Sequence, residues 1–378
     1  TYSGRSDHGG TIKPPESYRN LAAWAKKLGV AAIGMGSPYT PKTAISQHLF
    51  DEEARERYYS RDFDHRSVLD LDELQAMVSQ ANEFSDGTLF YLDNETPKGR
   101  YGHMWWVGYY PDMPAWHDYD QPFDRWMVHH TKAGDHFDEP MPYERRPYLE
   151  ILSIQRRHGA MGFWAHPTSW WQGEAGQFIT NIASEMPAHV MAQGYLDGMV
   201  IMGYNPFRPQ YQAIWFALLD RGYRVPGVAE MDAGLSDAGL WRKESAMLTY
   251  VPNTSDKLTT AKLVELFRKG RMFASTGPMI EIEVDGQPMG GVVTTGANIS
   301  HIVRITVMPA GGKRVGRVEI IGRGGEILWA QNEVDGPTVE LTLPGSDVRG
   351  YFIARVFGAG SSPADWRGVR DFAITNPV

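Results

Sequence analysis

The apolar pattern of this 378-residue chain changes period once, near Gly277, and that change limits what the chain can fold into. Before it, continuous apolar runs of strand length alternate with segments whose apolar residues recur at helical spacing. After it, apolar and polar residues alternate. A continuous run suits a strand covered on both faces; alternation suits a sheet with one face on the core. The expected order is therefore repeated strand–helix units, then an antiparallel β-sandwich.

In the first part, Pro14 and Pro15 open a helix with Leu21, Ala22, Trp24, Ala25 and Leu28 at helical spacing, and Gly29 ends it. Val30 to Met35 reads as a buried parallel strand. Asp72 caps a helix through Leu74, Met77, Val78 and Ala81, followed by a strand from Thr88 to Leu92. Tyr148 to Arg157 reads as helix, Ala160 to Ala165 and Gly198 to Met202 as strands, Tyr211 to Leu219 as helix and Val225 to Glu230 as strand. Lys257 to Lys269 is the last helix. Right-handed strand–helix–strand units imply parallel strands in an open sheet or a closed barrel. Residues 1–276 are assigned to this domain, with an insertion at about 100–143 rich in Trp, Tyr, Asp and His. Residues 277–378 are assigned to the sandwich, with alternating strands at 279–284, 301–307, 317–321, 326–330, 338–343 and 351–357. The pairs Asp285-Gly286, Gly324-Gly325 and Asp335-Gly336 mark turns between them.

Composition narrows the function. Lys and Arg number 37 against 45 Asp and Glu, a formal charge of −8, and no basic block occurs. Nucleic acid is thereby disfavoured as the main partner, because binding it requires a cationic stripe that displaces counterions. Without cysteine there are no disulfides, thiolate metal sites or cysteine nucleophiles. The apolar runs are strand-sized, so no membrane span is expected, and no signal peptide is visible at the start. Eleven of the twelve histidines lie between His8 and His189. Imidazole is the commonest metal ligand and general base, which directs attention to the first two-thirds.

In parallel barrels the chemistry gathers where strands end. Thr88 to Leu92 runs into Asp93-Asn94-Glu95, Ala160 to Ala165 into His166-Pro167, and Val225 to Glu230 into Met231-Asp232; His103 opens the apolar segment to Tyr109. Imidazoles and carboxylates from separate strand ends make a site for zinc or a harder divalent ion. Taken singly, each has a plainer reading: a core or surface histidine, or an acid capping the next helix, above all for Asp232.

With these residues in line, the chain resembles the polymerase and histidinol phosphatase (PHP) superfamily, and within it the CehA/McbA-type metallohydrolases, over nearly its whole length. Tyr2-Ser3 with Ser6-Asp7, then Pro15-Glu16 and Ala25 to Ile33, resemble the family's opening loop, helix and strand. Asn94-Glu95-Thr96-Pro97 with Gly102-His103 resemble its glutamate and Gly-His ligands. Gly162 to Pro167 resembles its His-Pro strand end, Asp232-Ala233 the aspartate of its closing Ser-Asp-x-His. Gly270-Arg271, Thr276-Gly277-Pro278, Tyr351 to Val356 and Thr375-Asn376-Pro377 resemble its tail. The resemblance implies an α/β fold, a distorted (β/α)7 barrel followed by a C-terminal antiparallel β-sandwich. It also implies hydrolysis of phosphoesters or other ester-like bonds with divalent metal. The chain departs from the pattern in several places. The family's His-x-His would precede Thr1, Gly36-Ser37-Pro38-Tyr39 stands for Thr-Asp-His, Gly234 for the closing histidine and Gly203-Tyr204-Asn205 for a glutamate. Glu95, His103, His166 and Asp232 remain, a reduced set for one ion such as Zn or Mn rather than three.

Two rivals stand beside this hydrolase. One is a metal-independent carbohydrate-active enzyme, a lyase or glycosidase, with His103 or His166 as general base and Tyr39, Tyr204, Arg100 or Lys98 as acid or charge clamp. The other is a non-catalytic glycan-binding protein. Trp105, Trp106, Trp170 and Trp171 are candidate stacking surfaces for a sugar or apolar ring. Because neighbours on a strand point to opposite faces, each Trp pair is expected to expose one ring. Lys98 and Arg100 beside Glu95 suit an anionic substrate, and His8 in Asp7-His8-Gly9-Gly10 is a substitute ligand or a solvated loop residue. Family habit and the missing cysteine place the protein in the periplasm or outside the cell.

Overall fold

The computed structural model describes residues 16–35, 71–93, 104–109, 153, 155–165, 167, 197–203, 206–230, 246–252, 257–296, 298–309, 311, 313–334, 336–345, 350–365 and 368–378. They belong to two compact units, one of residues 1–197, 232–239 and 256–264, the other of 198–231, 240–255 and 265–378.

In the first unit, helix α1 (Glu16–Leu28) ends where Gly29 turns left-handed at φ 69°, and Val30 N–H donates to Ala25 O at 2.8 Å. This is the glycine C-cap the sequence requires, since a side chain at positive φ would be strained. Leu21, Ala22 and Ala25 are buried. Strand β1 (Ala32–Met35) then pairs in parallel with β2 (Leu89–Leu92), Ala32 opposite Leu89 and Met35 opposite Leu92. Helix α2 (Leu71–Phe84) precedes β2, and Asn82 joins the two elements. Its Oδ1 accepts from Phe90 N–H at 3.0 Å and its Nδ2 donates to Phe90 O at 2.9 Å.

Strands β3 (Met104–Val107) and β4 (Met161–Trp164) depart from the parallel arrangement expected of this region; they are antiparallel, in the register Met104–Trp164 to Val107–Met161. The reason lies in the side chains at that register. Trp105 stacks on Phe163 with ring centroids 4.3 Å apart, and the Trp106 ring fills the space over Gly162. A Cβ at Gly162 would sit 2.6 Å from that ring, so the large and the absent side chain are matched.

In the second unit β5 (Gly198–Met202) pairs in parallel with β6 (Gly227–Ala229), and α3 (Pro209–Leu219) connects them. This is the expected strand–helix–strand unit. Strand β7 (Leu248–Tyr250) follows, then helix α4 (Thr260–Arg268), β8 (Phe273–Ser275), β9 (Met279–Val284) and the short β10 (Gln287–Pro288). Further strands are β11 (Ser300–Met308), β12 (Val315–Ile321), β13 (Ile327–Val334), β14 (Thr338–Pro344), β15 (Ile353–Gly358) and β16 (Phe372–Thr375). One sheet has the order β10-β9-β11-β14, the other β13-β12-β15-β16-β8-β7. Their inner faces share a core that includes Ile280, Ile282, Val303, Ile305, Val318, Ile320, Phe352 and Val356. A mixed α/β fold with C-terminal antiparallel sheets results, and the strand pairings among the described residues include no closed barrel.

Alternation holds in β9 and β11 but fails in β15, where all of Ile353 to Gly358 is buried. Helix α3 explains this. It covers the outer face of the six-stranded sheet, Phe216 stacking on Tyr351 and the preceding Phe207 meeting Phe357 and Phe372. The contact is also polar. Glu319 on β12 is 0% exposed, accepts from Arg317 Nε at 2.6 Å and is bonded by Arg355 Nε; Arg355 Nη1 reaches Gln212 Oε1 on α3 at 3.0 Å. A second tie is Asn376. Its Oδ1 accepts from Gly227 N–H at 2.7 Å, and its Nδ2 donates to Gly227 O at 2.9 Å and Met272 O at 3.0 Å.

Removing Glu319 leaves buried guanidinium charge uncompensated. Glu319→Gln is expected to lower unfolding stability by roughly 3–5 kcal/mol, read from urea denaturation. Asn376→Ala strands both backbone groups of Gly227 in a dry interior; the same measurement should register a loss of about 2–4 kcal/mol.

Candidate functional site

The ends of the parallel strands carry carboxylates, each lying over a glycine on, or directly after, the neighbouring strand. Asp93 follows β2, is buried, and accepts from Trp106 N–H through Oδ1 at 2.9 Å; its own N–H donates to Met35 O at 2.9 Å. Gly34 on β1 makes the room, since a Cβ there would lie 2.5 Å from Asp93 Oδ2. Glu230 follows β6 in the same way: its N–H donates to Met202 O at 3.0 Å, and a Cβ at Gly203 would come within 3.2 Å of Glu230 Oε1. Neither acid was singled out from the sequence, which favoured Glu95 and Asp232 nearby. Asp93 and Glu230 carry the readable signal, an acid directly after a continuous apolar run, and Glu95 and Asp232 lie two residues beyond them.

Of the residues chosen from the sequence, Trp105 and Trp106 are described. Both are buried, at 9% and 1% exposure, so the expectation that one ring of this pair faces solvent fails. Strand β3 is covered on both sides, by Phe163 on one and by the Trp106–Gly162 fit on the other. The Nε1 atoms of Trp105, Trp106 and Trp164 have no hydrogen-bond partner among the described residues. His8, Tyr39, Glu95, Lys98, Arg100, His103, His166, Trp170, Trp171, Tyr204 and Asp232 lie outside the described residues. Among the described residues no group of three or more His, Asp or Glu is placed to hold a metal ion.

One constellation was not visible in the sequence. His301 on β11, 0% exposed, has Nδ1 2.7 Å from Asp285 Oδ2 and Nε2 2.8 Å from Thr295 Oγ1. Asp285 occupies the Asp-Gly turn with φ 50°, and its Oδ1 also accepts from Ile302 N–H at 2.8 Å. Partial desolvation pushes its carboxyl up, but the His301 and Ile302 hydrogen bonds outweigh it and hold the pKa below the ordinary value. The order hydroxyl, imidazole, carboxylate is that of an activated nucleophile. Here the ring is enclosed, with Phe352 edge-on at 5.3 Å, and lacks a path for passing a proton to a leaving group. It ties the 285 turn to the loop at 295.

No family model matches the chain, and no curated protein matches it. Among solved structures it has a remote likeness to a protein from Bifidobacterium adolescentis proposed to be a metal-dependent phosphoesterase. Identity is 14% and the TM-score 0.32, over 61% of this chain and 86% of that one. No helix among the described residues is long and apolar enough to cross a membrane.

Burial first, and the Asp93 carboxylate second, push the Tyr91 phenol well above its ordinary pKa. A raised folded pKa gives stability that is complete below the unfolded value, about 10, and is lost as pH rises beyond it. Urea midpoints followed from pH 8 upward should hold to about pH 10 and then fall. Tyr91→Phe should flatten that fall in part, because Tyr250 and Tyr351 are raised by burial as well.

Proposed function

We propose that the protein is a PHP-like hydrolase that cleaves an ester-like or phosphoester bond from a reduced metal site of Glu95, His103, His166 and Asp232. One observation carries the reading. Met104 and Trp164 are the last paired residues at one end of the β3–β4 ladder. His103 directly precedes the first of them and His166 follows the second by two residues, so both imidazoles belong to chain leaving the same end of one strand pair. The direction of the chain at Asp93 adds support. Leu92 O accepts from Gly108 and Tyr109 N–H, while Asp93 reaches Trp106, so the step from 92 to 93 runs back along β3 towards Met104. Glu95 is two residues further on.

Two imidazoles with two carboxylates suit a divalent ion of the zinc or manganese kind. When bound, such an ion supplies Lewis acidity and acidifies water. Lys98 and Arg100 would bind an anionic group of the substrate, and Tyr204 would hold a transferable proton. The barrel architecture and the substrate class belong to this proposal, as does a location outside the cytoplasm.

Metal analysis of the purified protein should find about one equivalent of divalent ion, lost with His103→Ala and His166→Ala while the fold persists by circular dichroism. Hydrolysis of chromogenic phosphoesters or carboxylic esters should fall by roughly 100-fold or more in both variants and on chelation. Well under one equivalent, with activity indifferent to chelator, would shift the assignment to a metal-independent carbohydrate-active enzyme. Glycan affinity without turnover, retained in His166→Ala, would identify a binding protein instead.

A further inference from the structure

In the second unit, the segment between α3 and β6, the C-terminal end of α4, the loop after β10 and residues 350–352 and 376–378 enclose a cleft of about 590 Å³. That volume is within the usual range for small-molecule sites, roughly 300–1,000 Å³. Its charge is the informative property. Arg224, Arg268 and Lys269 line it, and no Asp or Glu is among the described lining residues, in a chain whose formal charge is −8.

Part of this has a local explanation. Arg268 and Lys269 stand at the C-terminus of α4, where a cation favours the helix dipole, and Lys269 Nζ also meets Glu265 at 2.5 Å. Arg224 has no such reason. It comes from a separate stretch after α3, is exposed, and has no acidic partner among the described residues. Three cations from two segments therefore face one concavity whose remaining walls are largely apolar: Tyr223, Val292, Val293 and Phe352. The walls are held. Gly290 N–H donates to Pro377 O at 2.8 Å, and no Cβ fits at Gly290 against Lys269 O. Thr295, on the rim, is fixed by His301. A cleft that is prearranged, apolar in body and cationic at one side is built for a ligand of matching make-up.

We propose that this cleft binds a small organic anion, one phosphate or carboxylate group on an apolar body. The anionic group would sit among Arg224, Arg268 and Lys269, and the apolar part against Tyr223 and the Val292–Val293 wall. This reading is independent of the hydrolytic site.

The test is isothermal titration calorimetry on the full chain at low salt, where screening is weak, with phenyl phosphate, benzoate and phenol as probes. At least one anionic probe should bind saturably, and phenol should not. The double variant Arg224→Ala/Lys269→Ala should weaken that binding by about tenfold or more while the fold persists by circular dichroism. Failure of both anions to saturate at millimolar concentration overturns the proposal; so does equal binding of phenol, or equal affinity in the double variant. Binding that is lost in His166→Ala and kept in the double variant assigns the anion to the hydrolytic site and overturns this one. If only phenyl phosphate or only benzoate binds, the proposal stands and the anionic group is identified.

Discussion

Glu319 is the constraint around which the second unit is arranged. A carboxylate with no exposure to water is costly unless its charge is matched and its lone pairs are used. Arg317 and Arg355 do both, and Arg355 extends the same network to Gln212 on α3. The arginine is itself shielded, its guanidinium carbon 5.5 Å from the Phe207 ring centroid and 5.7 Å from that of Phe357. Once this charge is buried in the sheet, the helix cannot slide or turn without leaving a polar group unpaired. The outer face of the six-stranded sheet thus has a fixed occupant, and β15 loses the solvent-facing side that an ordinary sandwich strand keeps.

The placement of acids at strand ends follows a related economy of space. In both parallel pairs, the strand that comes second in sequence is followed by a carboxylate that lies over a glycine at the end of the first, Asp93 over Gly34 and Glu230 over Gly203 just after β5. A larger residue at Gly34 would displace Asp93, and one at Gly203 would press on Glu230. In each unit a rigid parallel strand thus fixes the position of the acid that follows it. Gly162 plays the same spatial role for Trp106, which shows how a missing side chain on one strand dictates the position of a large one on the next.

Much of the fold was legible in the sequence. The strands at 198–202 and 279–284 were bounded correctly, and the helix end at Gly29 followed from its capping residue. What escaped had a common cause, the influence of remote contacts on local pattern. Tyr351 to Phe357 reads as alternating, but its polar-looking Arg355 is buried because Glu319 and Gln212 await it. Trp105 and Trp106 read as splitting between core and solvent, since period two cannot reveal that Phe163 and Gly162 cover both faces. The antiparallel β3–β4 pairing was hidden by the long segment between the strands. For Asp93 and Glu230, the sequence places other acids close by, and only the fold shows which acids the strand ends fix in place. The His301 arrangement needed the turn at 285 and the loop at 295 to be seen together.

The Asn376 bracket has a consequence for the life of the protein before it is complete. Its partner Gly227 lies 149 residues earlier. Ribosomes add about 5–20 residues per second, so β6 is made roughly 7–30 s before the side chain that secures it. Through that interval an apolar strand waits without its closing contact, and chaperone occupancy of nascent chains should be highest there.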